Sequence, residues 1–218
     1  MLLIDRYKLF IFDFDGTLST STFLARMTRH FKKRYNLKYV QMHAAEYMNG
    51  IRNPQHTRED RDDIYSHLYD LYAYVFRPRL MDDAISLLDY LRSKRKKVAV
   101  FSDANFYRLM NEARMLDITD HVDMILSAQS IKYFKPNPAG IQLLAEKFGV
   151  PTSKCLYIGD MATDVLTARF AGMDSCAVYA GVDSYNRVKQ VNPKYLFKDL
   201  PAFMEGLKRQ AHNSGRGS

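Results

Sequence analysis

The feature that most constrains this chain is an alternation. Short apolar and β-branched runs, three of them cut off by polar turn residues, recur along the sequence with helix-spaced apolar stripes between them. The first run, Tyr7 to Phe12, stops at Asp13, Asp15 and Gly16. A second, Lys97 to Phe101, stops at Ser102 and Asp103, and a third covers Val122 to Leu126. A fourth, Lys154 to Ile158, stops at Gly159 and Asp160, and a fifth spans Ser175 to Tyr179. Leu80, Ala84, Leu87, Leu88 and Leu91 share one helix face, as do Ile141, Leu144, Ala145 and Phe148, and as do Val165, Ala168 and Ala171. Parallel strands need long crossovers and helices supply them, so the pattern predicts an α/β fold with a doubly wound, Rossmann-like parallel sheet.

One stretch breaks the rhythm. Residues 20–76 show three helical patterns and no strand: Phe23, Leu24, Met27, Phe31 and Tyr35 form one stripe, Tyr39 to Met48 a second, and Ile64, Leu68, Leu71 and Val75 a third ended by Pro78. The reading is a helical insertion after strand one, leaving 1–19 and 77–210 as the core and the Gly/Ser-rich residues 211–218 as a disordered tail. A chain of 218 residues, 47% of them hydrophobic, can bury such a core without covalent staples, so Cys155 and Cys176 read as reduced core residues. No apolar run approaches the roughly 18 residues that a membrane helix needs, and a cytoplasmic protein with no membrane partner is expected.

In open parallel sheets, ligands bind beyond the carboxyl ends of the strands. The suspects are therefore Asp13 and Asp15 after strand one, Ser102 and Asp103 after strand two, Asp160 after strand four with Asp164 one helical turn on, and Lys135 in the proline-flanked turn FKPNP. Several carboxylates brought together repel one another unless a cation intervenes, and hard carboxylate oxygens select Mg²⁺. A hydroxyl from Ser102 and an ammonium from Lys135 beside that ion make a phosphate clamp. Of Asp13 and Asp15, one can attack phosphorus while the other passes protons.

DFDGTL at Asp13 to Leu18, the serine of VFSD, the KPNP turn at Lys135 and IGDMATD followed by ARFAGM resemble the four ordered motifs of the haloacid dehalogenase-like hydrolases. The resemblance runs from about Tyr7 to Leu200 and is nearest the phosphoglycolate phosphatase-like branch, in which the insertion is a helical cap domain, here residues 20–76. It implies Asp13 as the nucleophile that forms an aspartyl-phosphate and Asp15 as the acid/base. It further implies Mg²⁺ held by Asp13, the Asp15 carbonyl and Asp160, with Asp164 holding a metal-bound water or Lys135. Ser102, Lys135 and the first-loop amides around Gly16 and Thr17 would bind the phosphoryl group. Thr20 and Asp103 stand where many relatives carry an acid and an asparagine, positions that shape substrate access, and Asp103 is kept among the substrate-binding set.

The implied activity is a Mg²⁺-dependent phosphatase acting on a small phosphomonoester, with a phosphosugar mutase of the same fold as the alternative. The net charge of +8 also allows a nucleic-acid-end phosphatase or binding module, although no recognition helix or zinc pattern accompanies it. Arg26, Arg29, Lys32, Lys33 and Arg34 read as a solvated helix face, with Arg26 and Arg29 as candidates for contacts to an anionic leaving group. His30, His43, His56 and His67 form no metal-binding pattern. Nothing in the sequence specifies an oligomeric state.

Overall fold

The computed structural model describes residues 3–20, 78–104, 106–131, 133–179 and 185–213. By its contacts the chain divides into two units, Met1–Thr20 with Arg79–Ser218, and Ser21–Pro78. The insertion expected over 20–76 lies outside the described residues except for Thr20, and so do Arg26, Arg29 and the four histidines within it.

In chain order the described elements are α1 (Leu3–Arg6), β1 (Leu9–Phe12), β2 (Ser19–Thr20), β3 (Arg79–Leu80), α2 (Ala84–Ser93), β4 (Lys97–Ser102), α3 (Phe106–Met115), β5 (Met124–Ser127), α4 (Ala128–Ile131), α5 (Ala139–Lys147), β6 (Cys155–Gly159), α6 (Ala162–Phe170), β7 (Asp174–Val178), α7 (Tyr185–Gln190), β8 (Tyr195–Phe197) and α8 (Leu200–Asn213). Six strands form one sheet in the order β5-β4-β1-β6-β7-β8, with every neighbouring pair parallel. The chain builds outward from β1 through β4 to β5, then returns to the other side of β1 for β6, β7 and β8. The order therefore reverses at β1, and the crevice between the carboxyl ends of β1 and β6 is the switch point where such sheets bind ligands.

Successive strand residues point to opposite faces, and the core follows that period of two. Phe10, Phe12, Val98, Val100, Leu156 and Ile158 pack on one face with Leu87, Leu88 and Leu91 of α2, Leu109 of α3, and Phe203 and Leu207 of α8. Leu9, Ile11, Ala99, Phe101, Cys155 and Tyr157 pack on the other with Ile141, Leu144 and Ala145 of α5 and Ala168 of α6. Full burial of one such large apolar side chain stabilises by about 1.5–3 kcal/mol, and β1 buries all four of its residues. Helix starts are set by side chains: Asn137 Oδ1 accepts the Ala139 N–H at 2.9 Å, and Asp199 Oδ1 accepts the Ala202 N–H at 2.9 Å.

Four differences from the sequence expectation stand out. Thr20 is the second residue of β2, which pairs antiparallel with β3, so it belongs to the core rather than opening the insertion. Leu80, grouped with the stripe of α2, sits in β3. A sixth parallel strand, β8, extends the sheet beyond β7. Helix α8 runs to Asn213, three residues into the stretch assigned to the tail. Both cysteines are buried and free, and no helix among the described residues is long and apolar enough to cross a membrane.

Candidate active site

Asp13 is the first residue past β1, and its N–H continues the ladder to the Ile158 carbonyl at 2.8 Å. That bond fixes its backbone between β4 and β6, and its side chain is buried. Lys135 enters from the turn before α5. Its Nζ donates to Asp13 Oδ1 at 2.7 Å and to Asp164 Oδ1 at 2.8 Å, with only 6% of the lysine side chain exposed. The lysine loop is tied down by its own N–H, which donates to Asp103 Oδ1 at 3.0 Å.

Asp164 lies in the first turn of α6. Its Oδ2 accepts the Met161 N–H at 2.9 Å, a capping bond that also orients the carboxylate. The Tyr157 hydroxyl lies 3.3 Å from both Asp164 Oδ1 and the Phe101 carbonyl and can donate to either. Gly159 is required beside it, since a Cβ there would fall 2.3 Å from Asp164 Cγ. Asp160, 1% exposed, completes the group: Asp13, Asp160 and Asp164 each place a carboxylate oxygen within 4.8 Å of the others.

The electrostatics follow from this crowding. Burial pushes the Asp13 carboxyl well above the ordinary range, Lys135 opposes the shift, and the Asp164 charge adds to it. Burial alone would depress the Lys135 ammonium, but Asp13 and Asp164 outweigh it and hold the lysine charged. Burial likewise raises the Tyr157 phenol, keeping it a neutral donor. Three buried carboxylates this close together are stabilised by a cation, and their hard oxygen donors suit Mg²⁺.

Ser102, the last residue of β4, is buried, and its Oγ accepts the Ala104 N–H at 3.1 Å, leaving the hydroxyl proton to donate elsewhere. The first loop is closed by its own backbone: Gly16 N–H bonds the Ser19 carbonyl at 2.7 Å and Thr17 N–H the Phe14 carbonyl at 3.3 Å. Those two amides, expected to serve a phosphoryl group, are engaged within the turn. The Thr17 hydroxyl is fully buried with no hydrogen-bond partner among the described residues. The Asp103 carboxylate lies on the backbone of the lysine loop, which makes it a support for Lys135.

Asp15 has a partner that the sequence did not announce. Arg108, on α3, grips both of its oxygens, Nη2 to Oδ2 at 2.5 Å and Nη1 to Oδ1 at 3.1 Å, and also lies 3.3 Å from both oxygens of buried Glu112. Arg108 and Glu112 are four residues apart, the one signal in the sequence that pairs them on a helix. Asp13, Asp160, Asp164, Lys135 and Ser102 thus meet at the switch point, with Asp15 at its edge. A buried carboxylate, a charged lysine and a hydroxyl donor are residue types that can attack phosphorus and hold the charge that develops.

The model for the family described as haloacid dehalogenase-like hydrolase matches residues 10–178. A pyrophosphatase of Oceanobacillus iheyensis is 22% identical, with 87% of this chain and 92% of that protein covered. A phosphoglycolate phosphatase of Neisseria meningitidis is 23% identical, with 95% and 96% covered. The crystal structure of a predicted phosphoglycolate phosphatase from Haemophilus somnus superposes with a TM-score of 0.68 at 20% identity, covering 92% of this chain and 97% of that one. The motif order, the sheet topology and the length of the match agree: the chain belongs to the haloacid dehalogenase-like hydrolases, as an enzyme of the phosphatase kind.

Proposed function

We propose that this enzyme is a Mg²⁺-dependent phosphatase that hydrolyses a small phosphorylated metabolite through an aspartyl-phosphate on Asp13. The observation that carries the reading is the Asp13–Lys135–Asp164 contact at the end of β1, where a buried carboxylate is paired with a buried ammonium at 2.7 Å. In the first step a carboxylate oxygen of Asp13 bonds to phosphorus as the ester P–O bond breaks, and Asp15 gives its proton to the leaving oxygen. In the second, Asp15 takes a proton from water, whose oxygen bonds to phosphorus and releases Asp13 and inorganic phosphate. The Ser102 hydroxyl and Lys135 ammonium hold phosphoryl oxygens. Asp13 and Asp160 would hold the ion, with Asp164 beside them. When bound, Mg²⁺ supplies positive charge against the phosphoryl oxygens.

The insertion that follows Thr20, as far as residue 76, is assigned as a helical cap that selects the substrate, and the cytoplasm as the site of action. Support for a cap comes from the position of the insertion, directly after the first loop and between β2 and β3. The test is phosphate release from a panel of phosphomonoesters with and without Mg²⁺, comparing the unmodified enzyme with Asp13→Asn. Metal-dependent release that disappears in the variant, together with a phosphorylated Asp13 peptide trapped by acid quench, is the expected result. Equal release by Asp13→Asn refutes the mechanism, and isomerisation of a sugar phosphate with no phosphate release indicates a mutase.

A further inference from the structure

Arg108 holds Asp15 in a two-pronged grip that competes with proton transfer by that carboxyl. With guanidinium N–H groups on both carboxylate oxygens, the orientation of the Asp15 carboxylate is set by Arg108. The grip is built rather than incidental. Arg108 and Asp15 are 93 residues apart in sequence, and their side chains are only 13% and 21% exposed. The guanidinium is braced from behind by Glu112, whose side chain is 5% exposed. Helix α3 is itself anchored, through buried Leu109 and Ala113 and through the Phe106 N–H, which donates to Gln129 Oε1 at 3.0 Å. A planar, always charged fork partly open to solvent is matched to carboxylate or phosphate, and what can replace one carboxylate on it is another anion of the same shape.

We infer that Arg108 is a specificity residue whose fork passes from Asp15 to an anionic group on the leaving-group side of the substrate, freeing Asp15 for proton transfer. The inference rests on the reading of Asp13 and Asp15 given above. Asp15 faces the leaving oxygen in that reading, so whatever displaces it from Arg108 belongs to the leaving group. The substrate class is thereby narrowed to phosphate esters or anhydrides whose leaving group bears a carboxylate or a second phosphate. Arg108 exchanges one anion for another and keeps Glu112 throughout, so its charge is compensated before and after the exchange.

The test uses matched substrate pairs that differ in one anion: phosphoglycolate against 2-hydroxyethyl phosphate, and 3-phosphoglycerate against glycerol 3-phosphate. p-Nitrophenyl phosphate serves as a reference. The enzyme is expected to favour the anionic member of at least one pair by about 10- to 100-fold in kcat/KM, the range of a charge-assisted bidentate contact. Removing Arg108 alone would strand buried Glu112, so the variant is the double substitution Arg108→Met with Glu112→Gln, in which the preference falls to within about threefold of unity. Arg108→Lys, which keeps the charge and loses the fork, is expected to retain an intermediate preference. A merely structural role would lower both members of a pair alike. A wild-type enzyme that turns over p-nitrophenyl phosphate in an Asp13-dependent way but shows no anionic preference, or a double variant that keeps the preference, overturns the inference. Turnover that is absent for every substrate or independent of Asp13 defeats the underlying mechanism instead.

Discussion

Substituting Gly159 by alanine measures how firmly the acids of the site are held. A Cβ at this position would lie 2.3 Å from Asp164 Cγ and 2.4 Å from its Cβ and Oδ2. Carbon atoms settle at about 3.5 Å, so the Asp164 side chain would have to retreat by roughly 1 Å or more. It has no free direction in which to do so. Met161 N–H holds Oδ2 at 2.9 Å, Lys135 holds Oδ1 at 2.8 Å, and the residue is 2% exposed. Overpacking of a dense interior costs about 1–3 kcal/mol, and a lost hydrogen bond to a charged group adds about 1.5–3 kcal/mol. The expected total of about 3 kcal/mol or more lowers Tm by at least roughly 6 °C in a chain of this size. Because Lys135 bridges Asp164 to Asp13, phosphate release should fall with stability even at temperatures where the variant is folded. Gly149→Ala is the control. Gly149 has φ +62° and no atom within 4 Å of where the alanine methyl would sit, so only the strain of a left-handed residue, about 1–2 kcal/mol, is expected and turnover is retained. Thermal melts by circular dichroism and initial rates on one substrate decide the matter. A Gly159→Ala enzyme that melts with the unmodified protein and turns over at its rate would refute the tight packing inferred around Asp164.

Three further outcomes are expected. Chelation of divalent cations stops phosphate release and added Mg²⁺ restores it, with a rise in Tm on addition that is much reduced in Asp160→Asn, since that acid is one of the three converging carboxylates. At the opposite end of the sheet, Asp174 is partly buried, which favours its neutral form, but Lys194, Tyr7 and Arg6 outweigh burial and depress its pKa. A depressed carboxyl stabilises the fold above its unfolded pKa and ceases to as pH falls through the folded value. The urea midpoint of Asp174→Asn should therefore lie below that of the unmodified protein at pH 7, and the gap should close below about pH 4. Burial pushes the Cys155 thiol to about 12 and Cys176 higher still, so iodoacetamide at about pH 8 should modify neither until the protein is unfolded.

What could be read from the sequence was whatever repeats or punctuates. Five of the six parallel strands carry mainly apolar runs because a parallel sheet is covered on both faces, and the runs of β1, β4 and β6 end in the polar residues of the site. Asp13, Ser102 and Asp160 stood out in this way, Lys135 by its proline-flanked turn and Asp164 by its place four residues past Asp160. Helix α3 did not, because its apolar stripe is broken by Glu112, a buried charge that makes sense only once Arg108 and Asp15 are beside it. Strand β8 was missed for a different reason: three half-buried residues at a sheet edge give no periodicity to detect. The turn bonds that engage Gly16 and Thr17 depend on chain geometry that a DxDGT pattern does not encode.

Strands β2 and β3 place Thr20 directly opposite Arg79, so the polypeptide departs from the core and rejoins it at neighbouring residues of one antiparallel pair. Such a clasp isolates the core from whatever length of chain is spliced into it. The entropy of closing a longer excursion grows only slowly with its length, and a two-residue turn across Thr20 and Arg79 would close the same pair as a simple hairpin. The core can therefore keep its sheet and strand-end residues while the spliced segment is exchanged, lengthened or lost.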